Sequence, residues 1–198
     1  PQLKVCLKSI IRFPSDDGWD IYILTGMADS EFKKLENDLN KADGVRVHLI
    51  EVDDILFDNF PEIGRYSKVV YYRIFAASIL PDNIDRILYL DPDIVVINPL
   101  DELYNSDFEG GYYIACSHTK AVLTKINRLR LGIKNDAPYI NSGVMMMNIE
   151  LLRKEQTMKE VIEYVEKRGK FFVLPDQDVI TDLYGECVKI IDKFIYNL

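Results

Sequence analysis

The chain has 198 residues, 48% of them hydrophobic and 28% charged, which rules out an intrinsically disordered tail and predicts one globular α/β or α+β domain. A chain of this length removes roughly 70% of its unfolded surface from water, enough for a continuous core without covalent staples. The formal charge of -8 opposes a sequence-independent hold on nucleic acid, which relies on Lys and Arg, whereas a small phosphorylated ligand needs only an arginine, a cation or a helix N-terminus.

Cysteine and histidine narrow the chemistry further. The three cysteines, Cys6, Cys116 and Cys187, are scattered, and the two histidines are His48 and His118. No pair has metal-ligand or thioredoxin-like spacing, and the odd count predicts a reducing, cytoplasmic setting with structural or idle thiols. A zinc site of the His/Cys type is nearly excluded, so a metal here is expected to be a hard cation held by carboxylates. No stretch approaches the ~18 to 20 apolar residues of a membrane-spanning helix, and no signal peptide is visible. The chain opens on Pro1 without an initiator Met and enters an amphipathic pattern at once, which reads as a fragment.

In chain order, Leu3, Cys6, Leu7, Ile10 and Ile11 form the stripe of a one-faced helix that stops at Phe13-Pro14. Asp20 to Thr25 reads as a buried strand, Ser30 to Lys41 as a helix with Phe32, Leu35 and Leu39 inward, and Val45 to Leu49 as a half-buried strand. That rhythm belongs to a parallel α/β sheet. A loop rich in Asp, Phe and Pro runs from Asp53 to Ser67, before an apolar helix from Lys68 to Leu80 that Pro81-Asp82 ends. Ile87 to Leu90 is continuously apolar, as in a central strand buried on both faces, and Ile94 to Ile97 resumes extended structure. Further strands are expected at Tyr112 to Cys116, Val144 to Asn148 and Cys187 to Ile191. Helices are expected at Lys120 to Leu131, at Glu150 to Arg168 and from Asp176. Without repeat or linker, a single domain over 1–198 is the default.

Four segments carry candidate chemistry. Asp91-Pro92-Asp93 puts two carboxylates at the C-terminal end of a strand, where open sheets form their ligand crevice. In extended chain, residues i and i+2 point the same way and share one cation, although Asp-Pro-Asp is also common turn chemistry. Arg73, on an otherwise apolar helix, snorkels or pairs with a neighbouring carboxylate, or else binds phosphate by bidentate hydrogen bonds. Asn141-Ser142-Gly143 offers an amide, a hydroxyl and a bare backbone to a ligand, or makes a tight turn, while Met145 to Met147 read as core strand. Leu174-Pro175-Asp176-Gln177-Asp178 is a helix start with a carboxylate-rich first turn, able to grip sugar hydroxyls.

Taken in order, Tyr72-Arg73, Arg86 to Asp93, Tyr112 to Ala115, Asn141 to Val144 with Met147-Asn148, and Leu174 to Asp178 resemble glycosyltransferase family 8, the group of glycogenin and the bacterial lipopolysaccharide hexosyltransferases. The resemblance implies a GT-A fold, a Rossmann-like and mostly parallel sheet flanked by helices. It further implies a UDP-sugar donor, a Mn²⁺ or Mg²⁺ ion, a saccharide or other hydroxyl acceptor and retention at the anomeric carbon. By the same resemblance, Asp91 and Asp93 would hold the metal, and Arg73 would lie near the diphosphate. Asn141 would face the donor sugar, Asp176 would bind its hydroxyls, and Gln177 would lie near the anomeric carbon.

Three departures accompany it. The family's first strand with its acidic loop, and its C-terminal segment with a third, histidine metal ligand, are not in this stretch. After Ala115, Cys116-Ser117-His118 stands where the family often has an aspartate. The intact protein is therefore expected to be longer at both ends, and any peripheral membrane association would run through that C-terminal segment. Two other readings compete: a catalytically inactive sugar- or nucleotide-binding relative, and a nucleotidyltransferase, whose Gly-rich basic loop this chain lacks.

Overall fold

The structure, a computed structural model, describes residues 2–64, 66–117, 121–133 and 137–197, with 121–123 described by backbone alone; His118 and Lys120 lie outside the described residues. The elements run α1 (Gln2–Ile11), β1 (Trp19–Thr25), α2 (Ser30–Leu39), β2 (Val45–Glu51), α3 (Ala76–Ile79), β3 (Arg86–Leu90), α4 (Asp101–Tyr104), β4 (Tyr113–Cys116), α5 (Ala121–Leu131), β5 (Asn141–Asn148), α6 (Ile149–Glu155), α7 (Met158–Arg168), α8 (Pro175–Tyr184), β6 (Val188–Ile191) and α9 (Lys193–Tyr196). They form two compact units: Pro1–Ile55 with Asp91–Ser106, and Leu56–Leu90 with Asp107–Leu198. No helix of the described residues is long and apolar enough to cross a membrane.

In the first unit β1 and β2 pair in parallel, from Trp19 opposite Val45 to Thr25 opposite Glu51, with α2 as the crossover between them. Asp29 caps α2 by accepting from the Glu31 and Phe32 amides, which satisfies two of the helix's orphan donors. The turn into β1 needs glycine: Gly18 has φ +76°, and a Cβ there would lie 2.4 Å from the Gly44 carbonyl oxygen, whose acceptor role toward the Trp19 amide starts the ladder. The extended segment expected at Ile94 to Ile97 joins no sheet. The segment is anchored instead by Ser9, whose Oγ accepts from the Val96 amide at 2.8 Å, leaving Val95 and Ile97 exposed.

The second unit is built on a four-stranded sheet of order β3-β5-β4-β6. The α/β class is as expected, and this sheet mixes directions: β5 runs antiparallel to β3 and to β4, while β4 and β6 are parallel. The position buried on both faces belongs to β5, whose Met145, Met146 and Met147 are fully buried, and not to β3, which is half-buried at the end of this sheet. An aromatic cluster of Phe57, Phe60, Tyr71, Tyr72 and Phe75, with ring centroids 4.9 to 6.0 Å apart, turns the Asp/Phe/Pro loop into core.

Two predicted helices are broken. Between Lys68 and Leu80, backbone bonds run i to i+3 from Ser67–Val70 through Phe75–Ser78, and only Ile79 and Leu80 donate to i−4 carbonyls. The segment is a tight 3₁₀ run ending in one α turn, because its aromatics are fixed by the cluster above and tertiary packing overrides helix propensity. The helix expected over Glu150 to Arg168 divides at Gln156-Thr157. There the Gln156 amide side chain donates to the Ile74 carbonyl and the Tyr184 hydroxyl, both at 3.1 Å, and Thr157, in extended conformation, takes the N-cap position of the helix that follows.

Arg153 of α6 braces the entry to β3. Its guanidinium donates to the carbonyls of Ala77, Leu80, Pro81, Asp82 and Ile84 at 2.6 to 3.1 Å, closing the end of α3 and the turn beyond it. We expect Arg153→Ala to lower unfolding free energy by about 2 kcal/mol, the scale of hydrogen bonds to a charged group. Urea titration measures this.

Candidate active site

Asp91-Pro92-Asp93 lies in the first unit and is a turn: the Ile94 amide donates to the Asp91 carbonyl at 3.1 Å. The extended geometry inferred from sequence is corrected here, because proline at the second turn position bends the chain at once. The Cys6 thiol, buried on α1, also donates to the Asp91 carbonyl at 3.8 Å. That thiol's pKa is pushed up to about 11, first by burial and then by the Asp93 and Asp91 charges. Asp91 is half-buried and Asp93 exposed. Among the described residues no group of three or more His, Cys, Asp or Glu side chains is gathered as a metal site. Two carboxylates are a hard oxygen donor set that suits Mg²⁺ or Mn²⁺, with other positions taken by water or phosphate oxygens.

The other candidates belong to the second unit, which brings them together around a bulge in β5. Met145 opposes Ala115 on β4, yet Cys116 opposes Asn141, so Ser142, Gly143 and Val144 are extra residues on the β5 side. Bulges bend a strand and re-aim its side chains. Asn141-Ser142-Gly143 is therefore strand and bulge, not the tight turn that sequence allowed. The Asn141 Oδ1 accepts from the Gly143 amide at 2.9 Å and from the Asn197 side chain at 2.8 Å, which fixes the orientation of its carboxamide.

Ser142, 2% exposed, turns its hydroxyl inward. Arg73 Nη1 donates to Ser142 Oγ at 3.1 Å and to its carbonyl at 3.2 Å, and sits 3.1 Å from Asp176 Oδ2. Ser142 Oγ in turn donates to the same Asp176 oxygen at 2.5 Å. The Arg73 guanidinium carbon lies 4.4 Å from the Tyr89 ring centroid, a cation–π contact in a desolvated place. Arg73 is thus paired with a carboxylate, one of the readings its sequence context left open, and is one corner of a buried cluster. The Tyr71 hydroxyl pKa is pushed up by burial and then by the Asp176 and Asp178 charges.

Two residues along, Asp178 has a different role. It is fully buried and accepts from both Arg130 terminal nitrogens at 2.7 and 2.9 Å, from the Tyr139 hydroxyl at 2.7 Å, and from the Val173 and Leu174 amides at 2.7 and 3.2 Å. That bidentate pair raises the Arg130 pKa, while burial and then the Asp178 charge raise that of Tyr139. Asp178 locks the start of α8 and is closed to ligands. Gln177, between the two aspartates, is half-exposed.

The structure gathers the sequence candidates Arg73, Ser142 and Asp176 into one cluster; sequence reasoning missed Tyr89 beside Arg73, and Arg130 and Tyr139, which hold Asp178. Arg130 left no signal, being one of several cations on a polar helix.

The profile of glycosyl transferase family 8 matches residues 1–198. The chain is 22% identical over 191 residues to lipopolysaccharide 1,2-glucosyltransferase of Escherichia coli, covering 96% of this chain and 56% of that protein. It is 26% identical over 163 residues to general stress protein A of Bacillus subtilis, covering 81% and 56%. It therefore spans a little over half the length of these curated relatives. Among solved structures it is similar to the galactosyltransferase LgtC in complex with donor and acceptor sugar analogs, with TM-score 0.85, 23% identity and coverage of 97% of this chain and 69% of that one. LgtC has also been solved as an active-site mutant in which a glutamine becomes a glutamate, with TM-score 0.84 and 23% identity. The fold is thus GT-A, and the chain belongs to glycosyl transferase family 8.

Proposed function

We propose that the protein is a retaining hexosyltransferase that moves glucose or galactose from a UDP-sugar to a hydroxyl of a saccharide acceptor. The observation that carries this reading is the buried Arg73–Ser142–Asp176 cluster with Gln177 half-exposed beside it, in a chain whose family relatives include a lipopolysaccharide glucosyltransferase. Departure of UDP leaves negative charge on the diphosphate. Asp91 and Asp93 would hold Mn²⁺ or Mg²⁺, which when bound neutralises that charge as it develops. Arg73 adds a preorganised cation, held in place and costing no reorganisation at the moment of reaction. Asn141 presents its carboxamide to the donor sugar, and Asp176 accepts hydrogen bonds from that sugar's hydroxyls.

The choice of stereochemical route follows from what the carboxylates are doing. Double displacement needs a free carboxylate near the anomeric carbon. Asp178 is closed by its five donors, and Asp176 is 4% exposed with one oxygen shared between Arg73 and Ser142. Gln177 is an amide and a poor nucleophile. We therefore assign front-face attack by the acceptor hydroxyl: its oxygen bonds to the anomeric carbon as the bond to UDP breaks, and its proton passes to the leaving phosphate. Gln177 stabilises the oxocarbenium-like state.

The direct test incubates the full-length protein with UDP-glucose or UDP-galactose and Mn²⁺ and follows UDP release, which we expect with one of the two donors. No release from either, with no Mn²⁺-dependent UDP binding, would favour a binding module. Asp93→Asn is expected to abolish metal-dependent UDP binding without unfolding the protein, checked by calorimetry beside circular dichroism. Gln177→Ala is expected to leave stability within about 0.5 kcal/mol, as for a surface change, and to lower kcat about a hundredfold. A glycosyl adduct trapped on Asp176 or Asp178, seen by mass spectrometry, would refute the front-face route.

A further inference from the structure

We propose that Ser142 is a positioning residue for donor-sugar selection: its hydroxyl fixes the rotation of the Asp176 carboxylate, and so decides which oxygen is presented to the sugar. The inference rests on the reading of Asp176 as the group that binds donor hydroxyls, and extends it to a side chain that does not touch the sugar.

The geometry is specific to a hydroxyl. Ser142 Oγ accepts from Arg73 Nη1 at 3.1 Å while donating to Asp176 Oδ2 at 2.5 Å, and only a group that is donor and acceptor at once completes that chain. Arg73 Nη1 reaches the same Oδ2 at 3.1 Å. Oδ2 therefore accepts the Ser142 hydroxyl and lies at ion-pair distance from Arg73 Nη1, whereas among the described residues no hydrogen bond reaches Oδ1. The Asp176 side chain is 6% exposed. Oδ1 is not one of the buried polar atoms left without a hydrogen bond, so it keeps a surface at which a ligand hydroxyl can donate.

Without Ser142 Oγ the Arg73 contact alone would hold the carboxylate at one point, about which it swivels. The bulge explains why the device works: it places Ser142 outside the β4–β5 ladder, so its side chain answers to Arg73 and Asp176 and not to the pleat. Ser142 also has its carbonyl bound by Arg73 at 3.2 Å, which ties backbone and side chain of one residue to the same guanidinium.

The test is a cycle of enzyme and donor variants on the full-length protein. kcat/KM is measured for wild type and Ser142→Ala with UDP-glucose or UDP-galactose, whichever is used, and with its 2-, 3-, 4- and 6-deoxy analogues. Ser142→Ala should cost about 10- to 100-fold with the parent donor, the worth of a hydrogen bond to a charged group. That penalty should shrink to less than about twofold with the one analogue lacking the hydroxyl that Asp176 binds, since a coupled pair is non-additive. Ser142→Thr, which keeps the hydroxyl, should restore the parent rate to within about threefold of wild type. An equal penalty on every donor, or none on the parent, overturns the proposal while leaving the transferase reading intact. A wild-type protein inert toward both UDP-hexoses overturns that reading and this one with it. Should Ser142→Ala unfold, Ser142→Cys, similar in size and a weak donor, runs the same cycle with the same outcomes.

Discussion

A buried ion pair organises the second unit. Placing Arg73 and Asp176 out of water costs several kcal/mol for each ion, and their attraction offsets this only when the remaining donors and acceptors are met. Here the condition is met in part: Ser142 bridges the two charges and Tyr89 lies under the guanidinium, while the Arg73 Nε is buried without a hydrogen bond. Such a pair is a poor device for stability, since well-packed apolar side chains of the same volume would serve as well or better. It is a good device for holding a cation and a carboxylate in fixed directions in a medium of low dielectric, where each acts on a ligand far more strongly than in water.

Fixing Arg73 in turn depends on the backbone that carries it. The run from Ser67 to Ser78 closes i to i+3 bonds, and a 3₁₀ turn advances 120° per residue against 100° in an α-helix. Over a few residues the difference swings a long side chain through a large angle. The aromatic cluster holds the tighter winding in place: Phe57 and Phe60 come from the loop before it, and the Tyr71 hydroxyl donates to the Pro61 carbonyl at 3.0 Å. The direction of one buried cation is thus set by core packing some way along the chain.

What could be read from the sequence follows the strength of each periodic signal. α1, α2 and β2 were legible because apolar and polar residues recur with a clear period in each, and β1 because Ile21 to Leu24 is a short, continuous apolar run. Lys68 to Leu80 was not, because Val69, Val70, Tyr71, Tyr72, Ile74, Phe75, Ala76 and Ala77 are apolar all round and leave no period by which 3.0 could be told from 3.6. The break before α7 was written in Thr157-Met158-Lys159-Glu160, a capping-box pattern in which Thr157 Oγ1 meets Glu160 at 3.4 Å, and a long helix was read through it. Asp176 and Asp178 are the same letter two positions apart. That Asp178 is the sealed one depends on Arg130 and Tyr139 from distant elements, and no local pattern carries that.

The bulge in β5 also decides sidedness. Residues 141 and 145 differ by four, so in an unbroken strand Asn141 would share the face of Met145, deep in the core. Opposite residues of a pair share a face, and adjacent residues of β4 do not. Because Asn141 opposes Cys116 and Met145 opposes Ala115, the three inserted residues carry Asn141 to the other side of the sheet. The length of this segment is therefore a constraint separate from its composition. Loss of a single residue between Asn141 and Met145 could leave every side chain chemically unchanged and still force either the carboxamide to the wrong face or the ladder out of register.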